Sequence, residues 1–229
     1  MKYLRNGIRN VVRNWKSRSI RHLTPVYALN RIKVFIYEMR HPDHPWLTQQ
    51  ANLILSYLLK PQDVGFEWGS GRSTLWFARR VKYLTSVEHD ERWYNQVLDK
   101  IRAANLVNVN LLLKDFKGYE MQEESPYVQV ITNFNNNSLD FVLVDGPLTY
   151  RDLCANLALE KIRPGGILVV DDANLYIPCD SISPNSRSKN VAPESREWMR
   201  FLNRVKGWHQ IWTSSGIADT AIWLKPSRE

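Results

Sequence analysis

The sequence predicts a doubly wound α/β domain on a mostly parallel sheet, with a C-terminal antiparallel hairpin strand and an N-terminal helical extension. Three observations predict it. Five short apolar segments, near 64–67, 84–88, 109–113, 139–144 and 166–170, alternate with helical or looped stretches, as strands buried on both faces do. The first of them runs straight into a tight Gly69-Ser70-Gly71 turn, the layout of a nucleotide-binding βαβ unit. Near the end, Trp208–Thr213 and Thr220–Leu224 are two strands joined by Ser-Ser-Gly-Ile-Ala-Asp, an antiparallel closure that ordinary dinucleotide folds lack.

Residues 1–45 read as a basic helical extension and 46–229 as the α/β domain. The chain has 229 residues, 44% of them hydrophobic and 24% charged, enough for one well-buried domain and an appendage. Its net charge of +8 is uneven, because residues 1–40 hold ten Lys and Arg against the single acid Glu38. The rest carries 21 basic and 22 acidic side chains and is close to neutral. Within 1–22, Leu4, Ile8, Val11, Val12 and Trp15 recur at helical spacing among Lys2, Arg5, Arg9, Arg13 and Lys16. This amphipathic basic pattern either packs on its own domain or meets a membrane or another anionic surface. No apolar run reaches the length of a membrane span, and the N-terminus lacks the apolar centre of a signal peptide. A cytoplasmic protein is therefore expected, with peripheral membrane contact through the arm as the variant.

Each element follows in order. His41-Pro-Asp-His-Pro-Trp46 is a turn-rich hinge, and Leu47–Leu59 a helix covering the sheet edge. The helix over 90–104 places Trp93, Val97, Ile101 and Ala104 on one stripe, and another begins at Tyr150. Residues 173–193, rich in Ser, Pro and Asn, form a long loop beyond the last parallel strand, where lids and acceptor sites occur. Cys154 and Cys179 give neither a disulfide framework nor a zinc spacing, so no disulfide partner is expected.

The chemistry concentrates at the strand ends. Glu67 lies beside the glycine turn, Glu88 closes the second strand, and the usual third glycine is replaced by Thr74. A pyrophosphate would be repelled by Glu67, whereas a ligand with a cationic amino end and a neutral ribose suits both carboxylates. Leu139–Val144 is an apolar strand that delivers Asp145 into the crevice at its carboxyl end, where Gly146-Pro147 stops it.

The segment Glu67-Trp-Gly-Ser-Gly-Arg-Ser-Thr74, with Val87-Glu-His-Asp90 after it, resembles the first two cofactor motifs of class I S-adenosylmethionine-dependent methyltransferases. It is most similar to a bacterial O-methyltransferase-like branch with an EWGSGxST motif. The resemblance implies a Rossmann-like fold and S-adenosyl-L-methionine as cofactor. It implies that Glu67, Gly69, Ser70 and Gly71 line the methionine end and that Trp68, Ser73 and Thr74 also bind the cofactor. Glu88 would hold the ribose, with His89, Asp115 and Phe116 around the adenine. Asp145 would face both the cofactor and the acceptor and act in catalysis. Tyr150, Arg151, Asp172 and Asn174 would face the acceptor, Arg151 by pairing with an acidic group on it. Cation-dependent relatives carry an Asp-Asn pair after strand five, which Ala173 interrupts here, so no metal is assigned. The expected activity is methylation of an oxygen on a small molecule or glycan, since no Asn-Pro-Pro-Tyr signature of nitrogen methylation is present. Two alternatives stand beside it. One is an NAD(P)-dependent oxidoreductase, disfavoured by Glu67, the missing glycine and the terminal hairpin. The other is a membrane- or nucleic-acid-binding module with a vestigial site, drawing on the basic arm.

Overall fold

The computed structural model describes residues 24–115 and 122–227. The expected helix within 1–22 and Phe116 lie outside them. Two helices lead in, α1 (Pro25–Arg40) and α2 (Gln49–Leu58), capped by Thr24 and Thr48, whose hydroxyls accept from Tyr27 and Ala51 N–H. There follow β1 (Val64–Trp68), α3 (Arg72–Ala78), β2 (Tyr83–Glu88), α4 (Glu91–Ala103) and β3 (Val109–Leu113). After a short helical stretch containing α5 (Pro126–Gln129) come β4 (Leu139–Val144), α6 (Arg151–Lys161) and β5 (Ile162–Val170). The last elements are α7 (Arg196–Arg204), β6 (His209–Ser214) and β7 (Asp219–Leu224).

The seven strands form one sheet in the order β3-β2-β1-β4-β5-β7-β6. β1 to β5 run parallel, and β7 inserts antiparallel between β5 and β6. The direction of the winding reverses between β1 and β4, which opens a crevice at the carboxyl ends of the central strands. Strand alternation splits the core in two. Phe66 and Trp68 of β1 and Val142 and Val144 of β4 face the layer with Trp198 and Phe201 of α7. Phe141 and Leu143 face the opposite layer, with Leu55 of α2 and Trp76 and Phe77 of α3.

All five parallel strands and the hairpin lie where the sequence places them. The expected helix over 47–59 is shorter, because Thr48 caps it and Leu59 is extended at ψ 141°. Helix α7 was not foreseen. Of its charged sequence Trp198 and Phe201 are buried, Trp198 stacked on Tyr176 and Phe201 edge-on to Trp223. In 173–193 the chain makes a 3-10 turn at Ala173–Leu175 and then runs irregularly, with no further helix or strand until α7.

Gly65 is fixed by packing, since a Cβ there would lie 2.0 Å from Cε1 of Phe141. Gly65→Ala should cost about 1–3 kcal/mol by overpacking. Denaturant midpoints of the Gly65→Ala, Phe141→Leu and double variants should show the two changes partly rescuing each other. Strictly additive losses would disprove the contact.

Candidate functional site

The glycine turn connects three strands. Gly69 adopts φ +93°, and a Cβ there would sit 2.4 Å from the carbonyl oxygen of Asp145. Only glycine fits a left-handed turn pressed on backbone in this way. Gly69 N–H donates to Val87 O at 2.9 Å and Asp145 N–H to Trp68 O at 3.0 Å, tying the ends of β2 and β4 to the turn. Gly71 is different. Its backbone is extended, and a Cβ there would meet only the Trp93 ring, at an ordinary 3.8 Å. The fold itself therefore does not demand glycine at 71, and the space its missing side chain leaves is open to a ligand. Thr74, in place of the usual third glycine, joins this turn to an acid: its hydroxyl accepts from Gly71 N–H at 2.9 Å and donates to Glu67.

Glu67 is fully buried on the α3 side of β1. Its Oε1 accepts from Ser86 at 2.7 Å and from Thr74, while Oε2 is buried with no hydrogen-bond partner. Burial pushes this carboxyl up to about 7, against the lowering effect of the Ser86, Thr74 and Ser73 hydroxyls. An unsatisfied buried carboxylate oxygen beside an open turn is a place for a cation.

Glu88 ends β2 and is already held by the chain. Its Oε1 accepts from His89 N–H at 2.8 Å and Asp90 N–H at 2.9 Å, with His89 Nδ1 at 3.1 Å. Its Oε2 accepts from Ser70 N–H at 3.2 Å and Ser70 Oγ at 2.8 Å. Desolvation works to raise its pKa, but these hydrogen bonds outweigh it and hold the group below the usual glutamate value. Glu88 therefore stays ionised, and a ligand hydroxyl reaching Oε2 would have to displace the Ser70 Oγ that bonds it.

Trp68 does not join this crevice. Its ring is buried in the opposite layer, with Nε1 donating to Tyr127 O at 2.8 Å, because strand alternation sends it away from Glu67. Asp115 is exposed just beyond β3. The sequence reading missed Trp93, whose Nε1 donates to Ser70 O at 2.7 Å and whose ring stands beside Gly71. It also missed Trp46, stacked 6.4 Å from Trp93 with the Arg72 guanidinium 5.0 Å above it. As a stripe residue Trp93 looked like core, and nothing in the pattern marked it as a wall of the turn.

The second cluster lies across the crevice. Asp145 follows β4, and Arg151 opens α6. Arg151 is buried: Nη2 donates to Asp145 Oδ1 at 2.9 Å, Nε to Gly146 O at 2.8 Å, and Nη1 to Asp171 O at 2.6 Å, with Asp172 Oδ2 at 3.5 Å. This corrects the expectation that Arg151 reaches out to an acidic acceptor, since its donors are turned inward onto the strand ends. The guanidinium also stands between Asp145 and Asp172, where a divalent ion would have to sit. Among the described residues no group of three or more His, Cys, Asp or Glu side chains is arranged to hold a metal. Asp172 is a non-glycine residue at φ 52° and ψ 30°, which directs its carboxylate back at Arg151.

Asp145 remains the most accessible of the clustered acids apart from Asp172, with 29% of its side chain exposed. Desolvation raises its pKa to about 6, Arg151 holding it down and Asp172 pushing it up. Asp171 is buried, accepts from Thr220 Oγ1 at 2.7 Å, and is pushed well above the usual range by burial and the neighbouring carboxylates. Asn174 is turned away from an acceptor as well, its amide spanning Ser186 Oγ at 3.0 Å and Asp219 N–H at 3.2 Å. Tyr150 is buried under the same turn. Beside these strand ends, the β6–β7 turn, residues 179–182 and Asn30 of α1 enclose a cavity of about 500 Å³. Its lining includes Trp212, Ser181, Ser214, Asp180 and Asp219, and no Lys or Arg.

Residues 66–173 match the family described as a methyltransferase domain. Among curated proteins, none matches the sequence. A protein of Corynebacterium glutamicum has a similar structure, with a TM-score of 0.59 and 15% identity over 92% of this chain and 95% of that one. The O-methyltransferase TomG of Streptomyces achromogenes, involved in tomaymycin synthesis and solved with S-adenosylmethionine, gives 0.55 and 16% over 76% and 77%. A methyltransferase-like protein of Silicibacter pomeroyi gives 0.55 and 22% over 80% and 90%. At these identities the solved structures show a shared fold.

The two glycines should separate in experiment. Gly69→Ala should destabilise the fold, because its Cβ meets backbone, whereas Gly71→Val should melt within a degree or two of wild type yet lose S-adenosylhomocysteine binding in calorimetry. A Gly71→Val protein that binds normally would remove that turn from the site. For Glu67, a cation at Oε2 favours the ionised form, so binding should tighten as pH rises through about 7 and should release protons near neutral pH. Calorimetry in buffers of different ionisation enthalpy reads this directly. A carboxyl raised in this way costs the folded state stability as pH rises from its unfolded value toward 7. Glu67→Gln should accordingly melt higher than wild type at pH 8, while binding the ligand more weakly.

Proposed function

We propose that this chain, a class I S-adenosylmethionine-dependent methyltransferase, transfers the methyl group to a hydroxyl oxygen of an uncharged small molecule or glycan. The observation that carries the reading is the pairing of Asp145 with the open end of the crevice. It is a partly exposed carboxylate with a pKa raised to about 6, at the carboxyl end of β4 with its backbone pressed on the Gly69 turn.

The residues present fit the cofactor. The unpartnered Glu67 Oε2 suits the ammonium of its methionine end, the space at Gly71 admits its backbone-hugging approach, and Glu88 suits the ribose hydroxyls. Bound there, it supplies an already activated sulfonium methyl. The remaining work falls to alignment and to one proton. Fixing donor and acceptor in line is worth about 7–11 kcal/mol in favourable intramolecular cases. Asp145 accepts the hydroxyl proton as the oxygen attacks, and a positioned base of this kind contributes about 10²- to 10⁴-fold. Arg151 keeps Asp145 aimed and ionised near neutrality, without bonding its second oxygen. The absence of Lys and Arg from the cavity lining, and the carboxylates of Asp180 and Asp219 there, disfavour a phosphorylated or acidic acceptor.

Asp145→Asn should lower methyl transfer to hydroxyl acceptors by about 10²-fold or more, while S-adenosylhomocysteine affinity changes little. Turnover in the wild type should rise with pH through about 6, as Asp145 loses its proton, and that limb should vanish in the variant. Undiminished turnover in Asp145→Asn, measured with labelled cofactor against monosaccharides and simple phenols, would remove this acid from the chemistry.

A further inference from the structure

We infer that the outer face of α1 is a docking surface for an anionic lipid bilayer. The helix has sixteen residues and none is buried. Its inner side holds the domain through polar contacts: Asn30 abuts Gly216, where a Cβ would come within 2.1 Å of the Asn30 amide, and the Tyr37 hydroxyl lies 2.7 Å from His44 Nδ1. The other side carries Val26, Leu29, Ile32, Phe35, Ile36 and Met39, which are 38–61% exposed. At 3.6 residues per turn these six fall on one half of the cylinder, with Lys33 and Arg40 along one border and Arg31 along the other. Large apolar side chains edged by cations are the pattern of a helix lying in the lipid interface. No helix among the described residues is long and apolar enough to cross a membrane, so the surface rests on the bilayer and does not span it.

Charge selects the occupant. α1 carries Arg31, Lys33 and Arg40 against Glu38, and residues 1–22 add seven Lys and Arg and no acid. Like charge opposes covering the face with that preceding segment. It also opposes a symmetric contact between two copies, which would place two helices of net positive charge face to face. Nucleic acid would use the cations and leave six apolar side chains in water. An anionic bilayer satisfies both, since lipid takes the apolar stripe and each basic residue near the surface adds to the attraction.

The test is vesicle flotation with the full chain, and it is independent of the methyltransferase reading because it needs no cofactor or acceptor. The protein should float with vesicles containing about 30% phosphatidylglycerol and at least about tenfold less with pure phosphatidylcholine, and moderate salt should weaken the binding without abolishing it. Ile32→Asp with Phe35→Asp, both solvent-facing, should keep the wild-type melting temperature and lose about tenfold or more in binding. Arg31→Glu with Lys33→Glu should remove the preference for anionic lipid. Failure of the wild type to float with anionic vesicles would overturn the proposal, and so would full binding by the aspartate variant. A dimer in light scattering that the same variant dissolves would assign the face to a second copy and overturn it equally.

Discussion

The architecture of the crevice depends on one buried guanidinium. Arg151 reaches back from the start of α6 and bonds the carboxylate of Asp145, the carbonyls of Gly146 and Asp171, and the edge of Asp172. It thereby joins the ends of β4 and β5, which parallel pairing alone would leave frayed. Burying such a group costs several kcal/mol in lost hydration, and the loss is offset only because three short hydrogen bonds and the nearby Asp172 carboxylate converge on it. Removing either partner would leave a charge unpaired in a dry place. The same contact explains why Asp145 is not a strongly acidic surface group: it is desolvated yet neutralised on one side, and left open on the other.

A second constraint runs through Gly69. The turn passes so close to the Asp145 carbonyl that the glycine loop and the β4 end are packed backbone on backbone. Two sides of the crevice contributed by distant segments of chain are thus held in a fixed relation before any ligand arrives. Catalysis by alignment requires this, because a displacement of an ångström between donor and acceptor sacrifices most of its benefit. The unsatisfied oxygen of Glu67 belongs to the same economy of strain. Left without a partner, it destabilises the protein, and a cationic group placed against it would relieve that cost.

Helix α1 joins the site to the surface. Its inner side, through Asn30, borders the cavity beside the strand ends, and its outer side is apolar and flanked by cations. With no buried residue, this helix is held by few contacts.

By itself the sequence determined the alternation of strands and helices, the reversed hairpin strand, and the placement of Glu67, Glu88 and Asp145 at strand ends. It could do so because apolar runs, glycine turns and strand-terminal acids are local signals, each readable within a dozen residues. What it could not determine is which donors those acids already possess. That Arg151 folds inward onto Asp145 and Asp172, and that Asn174 spans Ser186 and Asp219, are decided across sequence separations of 6 to 45 residues. So is the role of Trp93, whose partner Ser70 is 23 residues away. Helix α7 escaped the pattern for the same reason, since its two buried aromatics acquire meaning only against α6 and the sheet. Local periodicity fixes elements, while hydrogen-bond satisfaction in a buried site is a property of the assembled whole, because each donor and acceptor must be matched with whatever the fold brings beside it.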